Sequence, residues 1–145
     1  MGTEGRKAMM IRMTTKIIDG KALATDFRAQ VAQRSADLRA RGFVPKLDAI
    51  LVESGDNGAR VYAQNQAQTC QTLGIDYELH TLPIGSGQAE IVAKVKELNE
   101  SDFVHAVMLH MPLPDGVDAY RVQELICPDK DVEGVNPANI GNVVY

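Results

Sequence analysis

Short apolar runs alternate with helical patterns along this chain, and that alternation constrains its fold more than any other feature. Residues 47–52, 75–82 and 105–110 are predicted strands because they are compact, aliphatic and bounded by turn-forming residues. Apolar residues at helical spacing predict helices at 22–41, 59–73, 88–98 and 117–126. Strands and helices in this order form right-handed crossovers. The chain is therefore predicted to be a single-domain α/β protein, a three-layer α/β/α fold with a mostly parallel sheet.

Composition narrows the classes of partner. The net charge is −4 and the basic residues are spread along the chain, so no nucleic-acid partner is predicted. No apolar run approaches the roughly 20 residues of a membrane-spanning helix. Cys70 and Cys127 lie far apart, which predicts two buried thiols in a reducing cytoplasm and no metal site. Residues 1–15 are interpreted as a mobile leader, residues 16–145 as the domain, and the tail at 128–145 as loop-like.

A parallel sheet places its site outside the carboxyl ends of its strands, which here means the loops after Val52 and His110. The glycine-rich loop at 53–58 is open to two interpretations, an anion cradle or a plain connection. It has neither a G-x-G-x-x-G nor a G-K-[ST] pattern. Tyr62 and Gln66 follow on the next helix, one turn apart, so their side chains are predicted to point the same way.

Two further segments contain candidate functional residues, and each allows two interpretations. His110 ends a strand just before Met-Pro-Leu-Pro, where it would either face the cleft and titrate near neutrality or serve as a hydrogen-bonded strand end. Residues 129–134 group three acids around one lysine, which favours a capped turn over a metal site. His80 and His105 are interpreted as structural or exposed.

Four segments in order carry a family resemblance. They are Ile-Ile-Asp-Gly-Lys at 17–21, the helix with Tyr62 and Cys70 before Gly74, Met-Leu-His-Met-Pro-Leu-Pro at 108–114, and Pro-Asp-Lys-Asp-Val-Glu-Gly at 128–134 followed by Asn-Pro-Ala-Asn-Ile-Gly at 136–141. From residue 16 onward the chain resembles the N-terminal, folate-binding catalytic domain of the bifunctional methylenetetrahydrofolate dehydrogenase/methenyltetrahydrofolate cyclohydrolase family.

The resemblance implies a one-carbon enzyme with a tetrahydrofolate substrate. Enzymes of this family oxidise methylenetetrahydrofolate with NADP or NAD and then hydrolyse the methenyl product. They are two-domain, usually dimeric proteins, so a homodimer is expected for the full-length protein. The dinucleotide is expected on a second, Rossmann-type domain downstream of Tyr145, and none is expected to bind this chain alone.

The resemblance also assigns the site residues. The catalytic set is Gln66, Tyr62, His110 and Glu133. The substrate-binding set is Tyr62, Gln66, Leu109, His110, Met111, Pro112, Asp131 and Glu133. No metal is assigned.

The chain departs from the family at the lysine of Y-x-x-x-K, which is replaced by Gln66, and no lysine lies between Lys46 and Lys94. His110 replaces a glutamine and Glu133 an aspartate. A general base contributes roughly 10²–10⁴-fold to a hydrolysis, and a neutral amide cannot take a proton. Cyclohydrolase activity is therefore predicted to be lost or altered, while dehydrogenation, which depends mainly on positioning, is better preserved. His110 is a candidate substitute base.

Two alternatives remain at this point. One is a non-catalytic module that binds a folate or pterin without turnover. The other is an unrelated flavodoxin-like interaction domain, which requires the two late motifs to be coincidental.

Overall fold

The structure is a computed structural model that describes residues 17–54 and 58–144. The leader predicted over residues 1–15 lies outside the described residues, as does the centre of the glycine-rich loop at 55–57. The elements within the described ranges are α1 (Gly20–Ala40), β1 (Lys46–Val52), α2 (Gly58–Leu73), β2 (Asp76–Leu82), α3 (Gln88–Glu100), β3 (Ala106–Leu109), α4 (Ala119–Gln123) and α5 (Pro137–Val144).

The strands form one parallel sheet in the order β2-β1-β3. β1 is central, and its Ala49 is paired with Leu79 on one side and with Met108 on the other. Each predicted strand matches an observed one within a residue or two, so the predicted parallel α/β fold and single domain are confirmed.

The two faces of the sheet carry different helices. Side chains alternate between faces along a strand, so Ile50 and Val52 share one face with Val107 and Leu109. That face packs against α3 and forms the main core, whose buried members are Ile50, Val52, Ile91, Val95, Leu98, Val104, Val107, Leu109, Val122 and Ile126. The opposite face is covered by α2, which packs on β1 and β2. Helix, sheet and helix make the three predicted layers.

α1 begins two residues earlier than predicted because Asp19 caps it. The Asp19 carboxylate accepts hydrogen bonds from the backbone N–H groups of Lys21 and Ala22 at 3.1 and 3.0 Å, so Gly20 is already helical. The buried residue of α1 is Ser35, whose hydroxyl donates to the Gly74 carbonyl at 2.6 Å. Gly74 ends α2 at φ +72°, a left-handed conformation that favours glycine.

The prediction of a loop-like tail holds for residues 128–136 but is wrong beyond them, because Pro137–Val144 form a helix. The Asn136 side-chain oxygen accepts a hydrogen bond from the Ala138 N–H at 2.8 Å, and proline stands at the first helical position. The Asn136 amide nitrogen also donates to the carbonyls of Glu124 and Ile126 at 3.0 and 2.9 Å. This buried side chain ties α5 to the end of α4.

Burial tests the prediction made for the two cysteines. Cys70 is a buried free thiol as predicted, whereas Cys127 is only partly buried, because it lies in the turn after α4. Among residues 17–54 and 58–144, no helix has the length and apolarity needed to span a bilayer.

Candidate functional site

A cleft of about 350 Å³ opens beside the carboxyl end of β3 and the first turn of α2. From β1 the chain crosses through α2 to β2, whereas β3 lies on the other side of β1. Strand order therefore reverses between β1 and β3, the position where parallel sheets place ligand sites. The lining residues are Gly58, Ala59, Tyr62, Met108, Leu109, His110, Met111 and Glu133. A larger groove of about 730 Å³ along the β2 edge contains none of the predicted site residues.

His110 lies at the back of this cleft and is only 3% exposed. Its backbone N–H donates to the Ile50 carbonyl at 2.9 Å, which extends the β1–β3 pairing by one residue. Its ring contacts the Tyr62 ring edge-on, with centroids 5.8 Å apart, and its Nε2 lies 3.4 Å from the Tyr77 hydroxyl. Burial lowers the pKa of His110 below its usual 6.5, so the ring is neutral at pH 7. His110 thus lines the cleft, which is one of the two alternatives that the sequence left open.

Gln66 lies behind the cleft, shielded by Met108. Its amide nitrogen donates to the Met108 sulfur at 2.8 Å. Its side-chain oxygen is buried and has no hydrogen-bond partner among the described residues. Tyr62, one turn earlier on α2, is 57% exposed and lines the cleft. The two side chains share a helix face, but Gln66 is held inward.

Glu133 lines the cleft, whereas Asp131 does not. Burial of its carboxyl raises the pKa of Glu133, and the nearby charge of Asp131 adds to the shift. Burial also disfavours the charged form of Asp131, but hydrogen bonds outweigh it and lower the pKa. Those bonds come from the N–H groups of Val135 and Asn136 at 3.2 and 2.8 Å and from the Asn139 amide at 3.0 Å. Asp131 therefore stabilises the start of α5.

The remaining predicted ligand-binding residues follow β3. Leu109 and Met111 line the cleft, and Pro112 joins Met111 through a cis peptide bond without lining it. Met108 and the α2 residues Gly58 and Ala59 are lining residues that the sequence did not single out for a role. Met108 lies inside the segment at 108–114 that carries the family resemblance. Its place in that segment was the signal from which a role in the site could have been predicted.

Lys130 in the acidic segment at 129–134 caps α3 from outside the cleft. Its ammonium donates to the carbonyls of Leu98, Asn99 and Ser101 at 3.1, 2.7 and 2.7 Å. These are groups that the end of a helix leaves unsatisfied. The segment is thus a capped turn, as the sequence favoured, and its lysine is structural.

A second polar cluster lies on the opposite face of the sheet from the cleft. The possible ligand atoms of Asp48, Glu78 and His80 lie within 4.8 Å of one another. Lys46 already contacts both carboxylates, at 3.2 Å to Asp48 and 2.6 Å to Glu78, and His80 Nε2 lies 2.7 Å from Asp48. We interpret the cluster as an ion-pair network, because the ammonium occupies the position that a metal cation would need.

Comparison with known proteins identifies the family. The model of the tetrahydrofolate dehydrogenase/cyclohydrolase catalytic domain matches residues 18–133. The chain belongs to this family. A bifunctional protein FolD from Moorella thermoacetica is 38% identical over 132 residues, which are 91% of this chain and 47% of that protein.

Solved structures share the fold. The bifunctional FolD enzyme of Campylobacter jejuni superposes with a TM-score of 0.83 at 30% identity, over 86% of this chain and 44% of that one. The Trypanosoma brucei dehydrogenase-cyclohydrolase, solved with NADP cofactor and an inhibitor, gives 0.79 at 25% identity, over 88% and 43%. This chain therefore spans less than half the length of the relatives it matches.

Proposed function

We propose that this chain is the folate-binding catalytic domain of a methylenetetrahydrofolate dehydrogenase/methenyltetrahydrofolate cyclohydrolase-like enzyme in which cyclohydrolase activity is lost or altered. The cleft beside α2 and β3 is the proposed folate site. Tyr62, His110, Met111 and Glu133 are its proposed contacts, with aromatic and apolar surface for a pterin ring and a few polar groups to orient it.

The environment of Gln66 carries the proposal. Hydrolysis of a methenyl cation needs a group that accepts a proton from water, and the family lysine position holds an amide here. That amide donates to the Met108 sulfur at 2.8 Å and lies outside the cleft lining. An amide cannot act as a base, and this one is also turned away from a cleft ligand.

The dehydrogenase step makes a different demand on the chain. Hydride transfer needs the folate held in one orientation against a dinucleotide, which the shape of the cleft can serve. No G-x-G-x-x-G loop follows any of the three strands, so these residues do not fit a dinucleotide of the Rossmann type. We propose that NADP or NAD binds a further domain of the full-length protein, which we expect to be a cytoplasmic homodimer.

A non-catalytic folate- or pterin-binding module is the second candidate. The inward-held Gln66 favours it, because the amide at the position of the family lysine cannot accept a proton from water. A binder would retain folate affinity and show neither activity.

The test compares the natural full-length protein with Gln66→Lys and with Gln64→Lys. Gln64 is an exposed glutamine of the same helix and lines no cavity near the site, so it controls for an added lysine on α2. Hydrolysis is followed as loss of methenyltetrahydrofolate absorbance, and dehydrogenation as reduction of NADP with methylenetetrahydrofolate. We expect Gln66→Lys alone to raise hydrolysis, by at least tenfold. Equal rates in all three proteins would contradict the role given to Gln66.

A further inference from the structure

Tyr77 reaches the proposed folate site from the far strand of the sheet. It lies on β2, yet its hydroxyl comes within 3.4 Å of His110 Nε2, at the end of β3. Tyr77 does not line the cleft and stands outside the segments that carry the family resemblance. Its side chain passes between the sheet and α2, the layer that also holds Gln66 and Cys70. The contact therefore links a half-buried tyrosine, which also lines the groove along β2, to a residue that lines the cleft.

The protons of this pair can be placed from the contacts. Burial raises the pKa of Tyr77 to about 12, so the phenol keeps its proton at neutral pH. The His110 ring is neutral and has one N–H and one bare nitrogen. Nε2 of His110 is the only hydrogen-bond partner of the Tyr77 hydroxyl among the described residues. If Nε2 held the ring proton, the phenolic hydrogen would have no acceptor among the described residues, which costs free energy to the extent that the hydroxyl is shielded from water.

We infer that Tyr77 is a positioning residue that fixes His110 as the Nδ1–H tautomer, so that the histidine offers a hydrogen-bond donor, and no base, to the cleft. The Tyr77 hydroxyl occupies the lone pair of Nε2, and Nδ1 carries the proton. The edge contact with Tyr62, with the two rings inclined at 78°, limits rotation of the imidazole. No hydrogen bond between described residues involves Nδ1, and His110 lines the cleft although it is only 3% exposed, so Nδ1 is the ring nitrogen left for a ligand.

The inference changes the role of His110 in the proposed site and rests on the proposed function only for the identity of the ligand. The resemblance places a glutamine at this position, and an amide N–H and an imidazole Nδ1–H are both neutral donors. His110 would thus replace a donor with a donor. It would not take over the role of base that the family lysine has at position 66.

The tautomer of His110 is measured directly by long-range ¹H–¹⁵N correlation spectra of the full-length protein at pH 8, where the ring is neutral. Signals are assigned with His110→Gln. We expect the native ring to be Nδ1–H, and Tyr77→Phe to shift it toward Nε2–H. Tyr120→Phe, at a 57% exposed tyrosine on α4, is the matched control and should leave the signals unchanged. A native ring in the Nε2–H form, or an unchanged tautomer in Tyr77→Phe, overturns the inference.

A folate titration of the same proteins separates this inference from the proposed function. Loss of one neutral hydrogen bond is expected to weaken tetrahydrofolate binding by roughly 2–10-fold in Tyr77→Phe. If native protein shows the Nδ1–H ring but binds no tetrahydrofolate, the proposed function fails while the role of Tyr77 stands. If folate binds and the ring is Nε2–H, the proposed function stands and the role of Tyr77 fails.

Discussion

Replacing Lys130 with methionine should destabilise the fold without touching the cleft. The ammonium donates three hydrogen bonds to carbonyls at the end of α3, at 2.7 to 3.1 Å. Each is worth about 1 kcal/mol net, and the positive charge near a helix C-terminus adds to this. Lys130 is partly exposed, so water replaces some of what is lost. We expect a decrease in the free energy of unfolding of roughly 2–3 kcal/mol, or roughly 6–12 °C in melting temperature.

Urea denaturation followed by circular dichroism measures this loss, with Lys96→Met as the control. Lys96 is an exposed lysine of α3 itself, so its replacement should cost less than about 0.5 kcal/mol. Folate affinity of the folded Lys130→Met protein should be unchanged. A loss no larger than that of Lys96→Met would refute the capping role. Weakened folate binding at unchanged stability would show that this signature lysine belongs to the site.

Two further predictions concern the core and pH. Ile91→Ala, at a fully buried core residue, should lower the free energy of unfolding by about 2–5 kcal/mol. Ile84→Ala, at a 71% exposed position, is the control and should lower it by less than about 1 kcal/mol. Similar losses in the two variants would contradict the assigned core. Burial lowers the pKa of His110 in the folded state, so the unfolded chain binds its proton more readily and stability should fall as pH drops below 6.5. His110→Gln lacks this histidine, so its free energy of unfolding should fall less between pH 7.5 and 5.5 than that of the native protein. Parallel plots of unfolding free energy against pH for the two proteins would refute this prediction.

The sequence predicted what depends on local pattern. Runs of aliphatic residues located all three strands, and glycine or proline set most of their limits. The ends of helices that depend on capping side chains were predicted less accurately. Asp19 and Asn136 each start a helix through their side chains, yet α1 was predicted to begin two residues late and α5 was missed. α5 is short and buries no residue of its own, so apolar periodicity gave no signal.

The sequence located the candidate site to two loops and no more finely. The ends of β1 and β3 were expected to hold it, and Tyr62, His110 and Glu133 do line one cleft. The inward position of Gln66 depends on the length and softness of Met108, which no spacing rule encodes. The contact between Tyr77 and His110 joins residues 33 positions apart on the outer strands, so only the assembled sheet reveals it.

We propose that this domain has retained a folate site and lost the base for hydrolysis. The most direct test is to measure both activities of the natural full-length protein in one preparation, following NADP reduction with methylenetetrahydrofolate and decay of methenyltetrahydrofolate. We expect measurable dehydrogenation, with methenyl decay no faster than in buffer. Methenyl decay well above the buffer rate would contradict this proposal, because another residue of the protein would then have to act as the base for hydrolysis.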